Sequence, residues 1–429
     1  MDTIFALSTA PGRAGVAVMR VSGPAVARVA NRLMSSMPAP RRAAVRVISD
    51  GDDAIDEALV LYFPMGESFT GEEVLELHLH GSPAVVSRVS SILSEIDDVR
   101  AAEAGEFTRR AMENGRLDLA EVEGLADLID AETEAQRRQA LVVMRGGLTE
   151  KVESWRHDLL RAAALIEATI DFADEEVPVD VSPEVSELLE RLKESLKGEI
   201  AAAHVAERIR DGFEVAILGR PNVGKSTLLN RIAGRDVAIT SEIAGTTRDV
   251  IEVRTDLGGL PVTFLDTAGL RETEDVVESV GVDWARKRAA EADLRVILLE
   301  EDVSEIEDMA VTVKPQDIVR FGKADIPGRS TGVSGKSGEG LSELLDEIKS
   351  RLEPKLQIGA TAIRERQRRA VEQALASIDR ASVALDNDEN SELIALEIRD
   401  ALYALDNLIG RVGVEDILGE IFSSFCIGK

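Results

Sequence analysis

The chain has 429 residues, 44% hydrophobic and 30% charged, which is enough apolar material for roughly two to four globular domains. It has no apolar run long enough to span a bilayer, and its start, MDTIFALSTAPGRAG, lacks the regions of a secretory signal, so we expect no membrane spanning. A formal net charge of −29 argues against nonspecific binding to nucleic acid or anionic membranes and favours a nucleotide or protein partner.

Residues 1–117 mix strand and helix patterns. β-branched and alternating apolar runs predict strands at 16–21, 58–63 and 74–80. Proline near a first turn predicts helices at 24–34 and 83–96. We therefore predict an α+β domain here.

Residues 118–210 are predicted to be helical, because apolar residues such as Leu159, Ala163 and Ile166 recur at spacings of three and four. Acids and two prolines interrupt this pattern at 174–183. Helical patterns return in 355–429, after a stretch, 211–354, that alternates strands and helices. The simplest organisation is an all-α domain into which an α/β nucleotide-binding domain has been inserted, since insertions are tolerated where chain ends lie close.

A phosphate-binding loop is predicted at 219–226, GRPNVGKS, which fits G-x-x-x-x-G-K-[ST]. A strand pattern at 215–218 precedes it and a helical pattern follows, which disfavours a chance glycine-rich turn. Backbone N–H groups and the helix N-terminus favour phosphate there, Lys225 can reach the β- and γ-phosphates, and Ser226 can bind Mg²⁺. The predicted nucleotide contacts of this segment are Asn222, Val223, Gly224, Lys225, Ser226 and Thr227.

Two later segments complete the predicted phosphate and Mg²⁺ site. A threonine in the loop IAGTTRD can join the Mg²⁺ shell only while a γ-phosphate is present. A strand at 262–265 leads into DTAG, where Asp266 can serve Mg²⁺ and Gly269 can approach the γ-phosphate. The predicted contacts are Ser241, Glu242, Ile243, Ala244, Gly245, Thr246, Thr247, Asp266, Thr267, Ala268 and Gly269.

Leu270 follows DTAG, where Ras-like GTPases have a glutamine that orients water. Leucine cannot do this, so another group must act. Acids downstream are candidates, although such residues are also common in solvated loops: Glu272, Glu274, Asp275 and Glu278.

Base recognition is predicted after a strand at 317–321. The pattern N-K-x-D appears as GKAD, with Gly322 in place of asparagine, and S-A-K appears as SGK. Asp325 can still accept hydrogen bonds from the ring N–H and amino group of guanine, so we expect guanine preference to survive a loss of about 1–2 kcal/mol. The predicted base contacts are Lys323, Asp325, Ser334, Gly335 and Lys336.

These motifs resemble those of the MnmE (TrmE) family of tRNA-modification GTPases, in the TrmE-Era-EngA-like branch of P-loop GTPases. The resemblance covers nearly the whole chain, through DTIFALSTAPGRAGVAVMRVSG, SFTGEEVLELHLHG, GRPNVGKS, AGTTRD and DTAGLRE. The ending FCIGK discriminates most, because other GTPases with similar motifs lack it.

The resemblance implies an N-terminal folate-binding and dimerising domain and a helical domain that surround the GTPase domain. It implies a homodimer that joins the flavoprotein MnmG in a heterotetramer and modifies C5 of a wobble uridine with an aminomethyl or carboxymethylaminomethyl group. tRNA is expected to bind through this complex, with FAD on the partner only. The carbon would come from 5,10-methylene- or 5-formyl-tetrahydrofolate, and hydrolysis of GTP would need K⁺ in place of an arginine finger.

The resemblance also implies roles for individual residues. Glu278 would orient the attacking water, and Ser226 and Thr247 would bind Mg²⁺. The implied K⁺ ligands are Asn222, Ser241, Ile243 and Thr246. The implied folate contacts are Arg20, Glu76, Arg116 and Lys429. Without the resemblance, Arg20 and Glu76 would be read as a structural ion pair.

Cys426 is the chain's one cysteine, which excludes an internal disulfide framework and favours a cytoplasmic location. By resemblance it is a catalytic candidate, as nucleophile or acid–base group beside Lys429. The alternative is a small buried hydrophobe. His78 and His80 have a spacing that can bind metal, but without a third ligand a structural role is favoured.

Two other functions stay open. One is a ribosome-associated regulatory GTPase that binds ribosomal RNA, although the strongest basic run is only 364–369, RERQRR. The other is an interaction scaffold with a degraded nucleotide site, which Gly322 suggests.

Overall fold

The structure is a computed structural model of the chain. It describes residues 2–171, 180–235, 252–266, 288, 290–308, 312–326, 332–355, 361–362, 364–387, 390–412, 418–419, 421–422, 425 and 428. The chain divides into two compact units, Met1–Ala126 with Asp406–Lys429, and Asp127–Leu405. No helix in the described ranges is long and apolar enough to cross a membrane.

The first unit is built on a mixed β-sheet. Its described strands are β1 Thr3–Leu7, β2 Ala14–Ser22, β3 Ala44–Asp50, β4 Asp53–Phe63, β5 Val74–Gly81 and β6 Val99–Ala101. They lie in the order β3-β4-β5-β2-β1-β6, and every pair is antiparallel except β1 with β6. Strands that are consecutive in the chain therefore pair in this sheet, except where β5 pairs with β2 and where β1 pairs with β6.

Helices α1 (Val26–Leu33) and α2 (Pro83–Ser94) cover one face of this sheet. Leu75, Leu77 and Leu79 of β5 are buried in the core with these helices. Because side chains alternate along a strand, Glu76, His78 and His80 lie on the opposite face. That face carries the second candidate site described below.

Helix α3 (Glu106–Glu113) and the start of α4 (Leu119–Asp130) complete the first unit with the end of the chain. Phe422 and Phe425 pack with Val122 in one apolar cluster, and their ring centroids are 6.0 Å apart. The unit therefore joins both ends of the chain.

The second unit begins with helices, α5 (Glu134–Met144), α6 (Gly147–Asp171) and α7 (Ser182–Asp211). A capping box at Thr133 and Gln136 starts α5, since each side chain satisfies an unpaired backbone N–H of the first turn. The predicted interruption at 174–183 lies mostly outside the described residues, and α7 starts within it at Ser182.

An α/β domain follows α7. Its described strands are β7 Phe213–Gly219, β8 Glu252–Asp256, β9 Pro261–Asp266, β10 Leu294–Leu299, β11 Ile318–Gly322 and β12 Gly332–Val333. Its described helices are α8 Lys225–Ala233, α9 Glu305–Asp308 and α10 Leu341–Leu352, with a 3₁₀ turn at Glu353–Lys355. The strand order is β12-β11-β10-β7-β9-β8, and all pairs are parallel except β8 with β9. The carboxyl ends of the parallel strands meet at one edge, where ligands bind in such sheets.

Two helices, α11 (Glu365–Asp386) and α12 (Ser391–Leu408), follow this domain, and α11 packs on α7. Glu199 of α7 is 5% exposed and accepts hydrogen bonds from the backbone N–H groups of Thr361 and Ala362 at 2.6 and 2.7 Å. Lys151 of α6 donates to the same carboxylate at 2.6 Å. The segment that leaves the α/β domain is thus fixed to the preceding helices.

The predicted class is confirmed: an α+β N-terminal domain, a helical domain and an α/β domain inserted into it. The predicted strands at 16–21, 58–63, 74–80, 215–218, 262–265 and 317–321 are present, the last displaced by one residue. Six described strands were not individually predicted: β1, β3, β6, β8, β10 and β12. The domain boundaries 1–117, 118–210, 211–354 and 355–429 stay a prediction.

Candidate functional site

The phosphate-binding loop connects β7 to α8 at the carboxyl edge of the sheet. Its backbone enters the left-handed region at Gly219, Asn222 and Gly224, with φ of 153°, 67° and 109°. A Cβ added to Gly219 would lie 2.5 Å from the Leu298 carbonyl oxygen, so the turn requires glycine. Asn222 is exposed on this loop.

Lys225 begins α8 and is only 6% exposed. Its Nζ donates to the carbonyl oxygens of Gly219 and Arg220 at 2.7 and 3.0 Å. Burial lowers the pKa of Lys225, and the nearby Asp266 carboxylate opposes that shift. A desolvated ammonium held at the N-terminus of a helix is well placed to meet a phosphate.

Ser226 and Asp266 meet although they are forty positions apart. The Ser226 hydroxyl donates to Asp266 Oδ2 at 2.9 Å, and Asp266, at the end of β9, is 4% exposed. A hydroxyl and a carboxylate beside a phosphate loop are the oxygen ligands that Mg²⁺ takes in nucleotide sites. The structure therefore brings these two predicted residues together.

The predicted base-recognition residues also lie at this edge. Asp325 is exposed, and its Oδ1 accepts a hydrogen bond from Ser334 Oγ at 2.6 Å. That bond lowers the pKa of Asp325, so the carboxylate is held ionised. Lys323 Nζ contacts Glu300 Oε1 at 2.7 Å, a partner that no motif indicated.

Four more predicted residues of this site are described: Val223 is buried, Gly335 is half-buried, and Thr227 and Lys336 are exposed. The remaining predicted residues lie outside the described residues, as do Leu270 and the candidate acids Glu272, Glu274 and Asp275. These remaining residues are Ser241, Glu242, Ile243, Ala244, Gly245, Thr246, Thr247, Thr267, Ala268, Gly269 and Glu278, and the same holds for Cys426 and Lys429 at the chain end.

A second candidate site lies on the first unit, around Arg20 of β2. Arg20 Nε donates to Glu76 Oε1 at 2.9 Å, and both side chains are mostly buried, at 20% and 16% exposure. The Arg20 guanidinium lies 5.9 and 5.8 Å from the ring centroids of Phe69 and Phe107. Arg20 is thus flanked by two aromatic rings, and the partial burial of the pair strengthens the attraction between its charges.

The end of the chain reaches this site. The Gly428 carbonyl oxygen accepts from Ser8 Oγ at 3.1 Å and from Arg20 Nη1 at 3.4 Å. A Cβ added to Gly428 would lie 2.4 Å from the Leu7 carbonyl oxygen, so the contact needs glycine. The sequence contained no signal that Ser8 would meet this terminal segment, or that Phe69 and Phe107 would lie beside Arg20.

Arg116, the third predicted contact in this unit, is exposed after α3. Its side chain lies against Gly71, where an added Cβ would be 3.3 Å from Arg116 Cγ. Gly71 belongs to the loop that carries Phe69. Arg116 therefore borders the loop that supplies Phe69 to the Arg20 site.

The two histidines of β5 have separate partners. His80 Nδ1 lies 2.6 Å from Asp56 Oδ1, and His78 Nε2 lies 3.6 Å from Glu76 Oε2. Across the described part of the chain, no group of three or more histidine, cysteine, aspartate or glutamate side chains is arranged to hold a metal.

Comparison with known proteins decides the family. Family profiles described as the MnmE helical domain and the GTP-binding protein TrmE N-terminus match residues 119–426 and 3–116. The tRNA modification GTPase MnmE of Roseobacter denitrificans (strain ATCC 33942 / OCh 114) is 58% identical over 432 residues, covering 100% of both chains. The chain belongs to the MnmE family. MnmE proteins of Cereibacter sphaeroides (strain ATCC 17029 / ATH 2.4.9) and Paracoccus denitrificans (strain Pd 1222) are 58% and 52% identical, again over 100% of both chains.

The chain is therefore a tRNA modification GTPase, a GTP hydrolase. Solved structures with local likeness include Era in complex with MgGDPNP and 16S ribosomal RNA, 27% identical over 38% of this chain and 66% of Era, with a TM-score of 0.27. The cytosolic domain of the T. maritima FeoB iron transporter is 15% identical over 46% of this chain and 98% of its own, with a TM-score of 0.21. Likenesses at this level carry no argument for this chain.

Proposed function

We propose that this GTPase, together with the flavoprotein MnmG, modifies C5 of the wobble uridine of certain tRNAs with a folate-derived carbon. In this proposal the phosphate loop is a switch, and the one-carbon chemistry takes place at the Arg20 site. The contact of the Gly428 carbonyl with Arg20 and Ser8 carries the proposal. It brings Gly428, near the end of the chain, to a site other than the phosphate loop.

The residues around Arg20 fit a tetrahydrofolate. The Glu76 carboxylate can accept two N–H donors from the edge of a pterin ring, and Phe69 and Phe107 offer flat apolar contact. Arg116 supplies positive charge for the glutamate tail, and Lys429 is proposed to do the same. A bound folate would supply a carbon at the methylene or formyl oxidation level.

Cys426 is proposed as the catalytic side chain of this site, two residues before Gly428. A thiol close to Arg20 and Lys429 would have its thiolate stabilised by positive charge, which favours a nucleophilic or acid–base role.

At the nucleotide site, Lys225 would move from its carbonyl partners to the β- and γ-phosphates of GTP. Ser226 and Asp266, already within hydrogen-bond distance, would hold Mg²⁺ together with Thr247. Asp325, which is held by a hydrogen bond from Ser334, would accept hydrogen bonds from guanine. Glu278 is proposed to orient the attacking water, because Leu270 cannot.

K⁺ is proposed to act where other GTPases use an arginine finger. Asn222, exposed on the phosphate loop, fits a side-chain ligand, and Ser241, Ile243 and Thr246 are the proposed others. We expect GTP turnover by the purified chain to be at least about tenfold faster in KCl than in NaCl at equal ionic strength. Equal rates would contradict the K⁺ role, and no hydrolysis in KCl would favour a scaffold.

The basic run at 364–369 does not offer a free RNA-binding surface. Arg364 pairs with Asp127, Arg368 with Glu207 and Glu372, and Arg369 with Glu365. Because its charges are met by acids of the chain itself, we propose that MnmG supplies much of the tRNA-binding charge. Tight tRNA binding by this chain alone would contradict this.

A homodimer is proposed through the first unit. Val45 and Val47 of the edge strand β3 are 56% and 53% exposed, and Leu59, the register partner of Val45, is 38% exposed. Such an apolar row at a sheet edge suits pairing with a second copy. Light scattering should give twice the chain mass, and a monomer mass would contradict the proposal.

Nucleoside mass spectrometry tests the function. tRNA from a strain that lacks this protein should have wobble uridine without the C5 group, and expression of this chain should restore it. An unchanged profile in the deletion strain would overturn the proposal.

A further inference from the structure

Two glycines of the base-recognition segments lie against the backbone of the phosphate loop and α8. A Cβ built on Gly322, at the end of β11, would be 2.4 Å from the Val223 carbonyl oxygen. A Cβ built on Gly335, after β12, would be 2.5 Å from the Leu228 amide nitrogen and the Thr227 carbonyl carbon. The obstacles are main-chain atoms of one short stretch, 223–228, which cannot rotate away as the end of a side chain can.

Neither glycine is needed for its backbone conformation. Neither Gly322 nor Gly335 has φ in the left-handed region, so other residues could adopt both conformations. The sequence patterns place asparagine and alanine at these two positions in related GTPases, and this chain has glycine at both. Two separate positions therefore indicate the same feature, a close approach of the base-recognition segments to the phosphate loop.

What remains for recognising the base is a carboxylate held by a tight turn. Ser334 Oγ donates to Asp325 Oδ1 at 2.6 Å and lies 3.1 Å from the backbone N–H donors of both Lys336 and Ser337. Position 322 offers no side chain. The position of Asp325 relative to the phosphate loop therefore depends on how closely these segments approach it.

We propose that Gly322 and Gly335 are specificity-determining residues of the nucleotide site. They let both base-recognition segments close on the phosphate loop, so that Asp325 and main-chain groups select guanine without an asparagine. It follows that restoring the expected residues, asparagine at 322 or alanine at 335, weakens nucleotide binding, because the added Cβ forces the segments apart. This inference rests on the proposed nucleotide site.

The test compares guanosine and inosine diphosphate binding to the full chain. Hypoxanthine, the base of inosine, lacks the amino group from which Asp325 would accept a hydrogen bond. The ratio of the two dissociation constants therefore reports the position of that carboxylate. The variants are Gly322→Asn and Gly335→Ala. Gly234→Ala is the matched control in the same domain, because its Cβ would have only ordinary contacts, the nearest at 3.4 Å.

Gly322→Asn and Gly335→Ala should each weaken binding of guanosine diphosphate at least about tenfold and reduce the guanosine preference, while Gly234→Ala stays within about twofold of the native chain. Equal or tighter binding by Gly322→Asn would overturn the inference, and so would an equal loss for both nucleotides. If Gly322→Asn does not fold, Gly322→Ala, which adds the Cβ alone, is judged by the same outcomes. If the native chain binds no guanosine diphosphate, the proposed nucleotide site itself fails.

Discussion

Arg20 is the residue at which distant parts of the chain meet. β2 carries it, β5 supplies Glu76, and the end of the chain supplies the Gly428 carbonyl. An arginine can serve all of these because its guanidinium has several donors in one plane. Its burial among aromatic rings means that replacing it removes charge, hydrogen bonds and packing at once.

Glu106, also in the first unit, makes the stability of that unit depend on pH. It is 1% exposed; burial raises its pKa, but hydrogen bonds from Arg100, the Glu103 N–H and Arg110 outweigh this and lower it to about 2 from 4.5. A depressed pKa means that the stabilisation is present above about pH 4.5 and is lost as pH falls towards 2. The part of the free energy of unfolding that depends on ionised Glu106 is on the order of 3 kcal/mol.

We expect amide hydrogen exchange of β1 and β6 to accelerate between about pH 5 and about pH 3, a range that brackets the ordinary pKa of glutamate. Mass spectrometry measures the exchange, and the rates are corrected for the intrinsic effect of pH. Glu106→Gln should already exchange faster at pH 5 and change less on acidification. Glu113→Gln, an exposed glutamate of the same helix, is the control. The same acid sensitivity in Glu106→Gln as in the native chain would contradict this account.

At the scale of elements, one carboxylate ties both connections of the α/β domain to the helices. Asp127 is 9% exposed and accepts from Arg210, near the end of α7, at 2.9 Å and from Arg364, before α11, at 2.8 Å. The chain enters the α/β domain just after Arg210 and has left it before Arg364. Movement of the domain therefore acts directly on this ion-pair network.

Asp127→Asn should leave two arginines without their shared charge and destabilise the second unit by about 1–3 kcal/mol. Asp127 belongs to α4 and not to the phosphate loop, so we expect GTP turnover to be largely kept while tRNA modification per GTP hydrolysed falls. Phosphate release and nucleoside mass spectrometry of the same reaction measure that ratio. Asp211→Asn, whose exposed carboxylate pairs with Arg210 alone, is the control; an unchanged ratio in Asp127→Asn would contradict the coupling role.

Sequence patterns predicted those elements whose signals are local. The strand before Gly219, the helix after Lys225 and the position of Asp325 follow from short spacings, and the structure has them. β3 was missed because its first four residues, 44–47, alternate between partly buried and exposed at a sheet edge, and Ile48 is its one buried residue. The approach of Gly322 to Val223 was invisible, because a sequence gives residue size but not the distance between segments far apart in the chain.

At the scale of the whole molecule, the two candidate sites are built from different parts of the chain. The phosphate loop is built within the α/β domain from β7, α8 and β9. The Arg20 site is built from the first unit, including residues from both ends of the chain. We propose that GTP hydrolysis at the first site drives tRNA modification at the second.

The most direct test compares Lys225→Ala with Arg20→Ala in one reaction that contains MnmG, tRNA, GTP and a methylene-tetrahydrofolate. Phosphate release and the C5 modification of uridine are measured together. We predict that Lys225→Ala loses both activities by at least about a hundredfold, whereas Arg20→Ala keeps GTP hydrolysis within about threefold and loses the modification. Modification that persists in Lys225→Ala, or GTP hydrolysis lost in Arg20→Ala with the fold intact, would contradict the account.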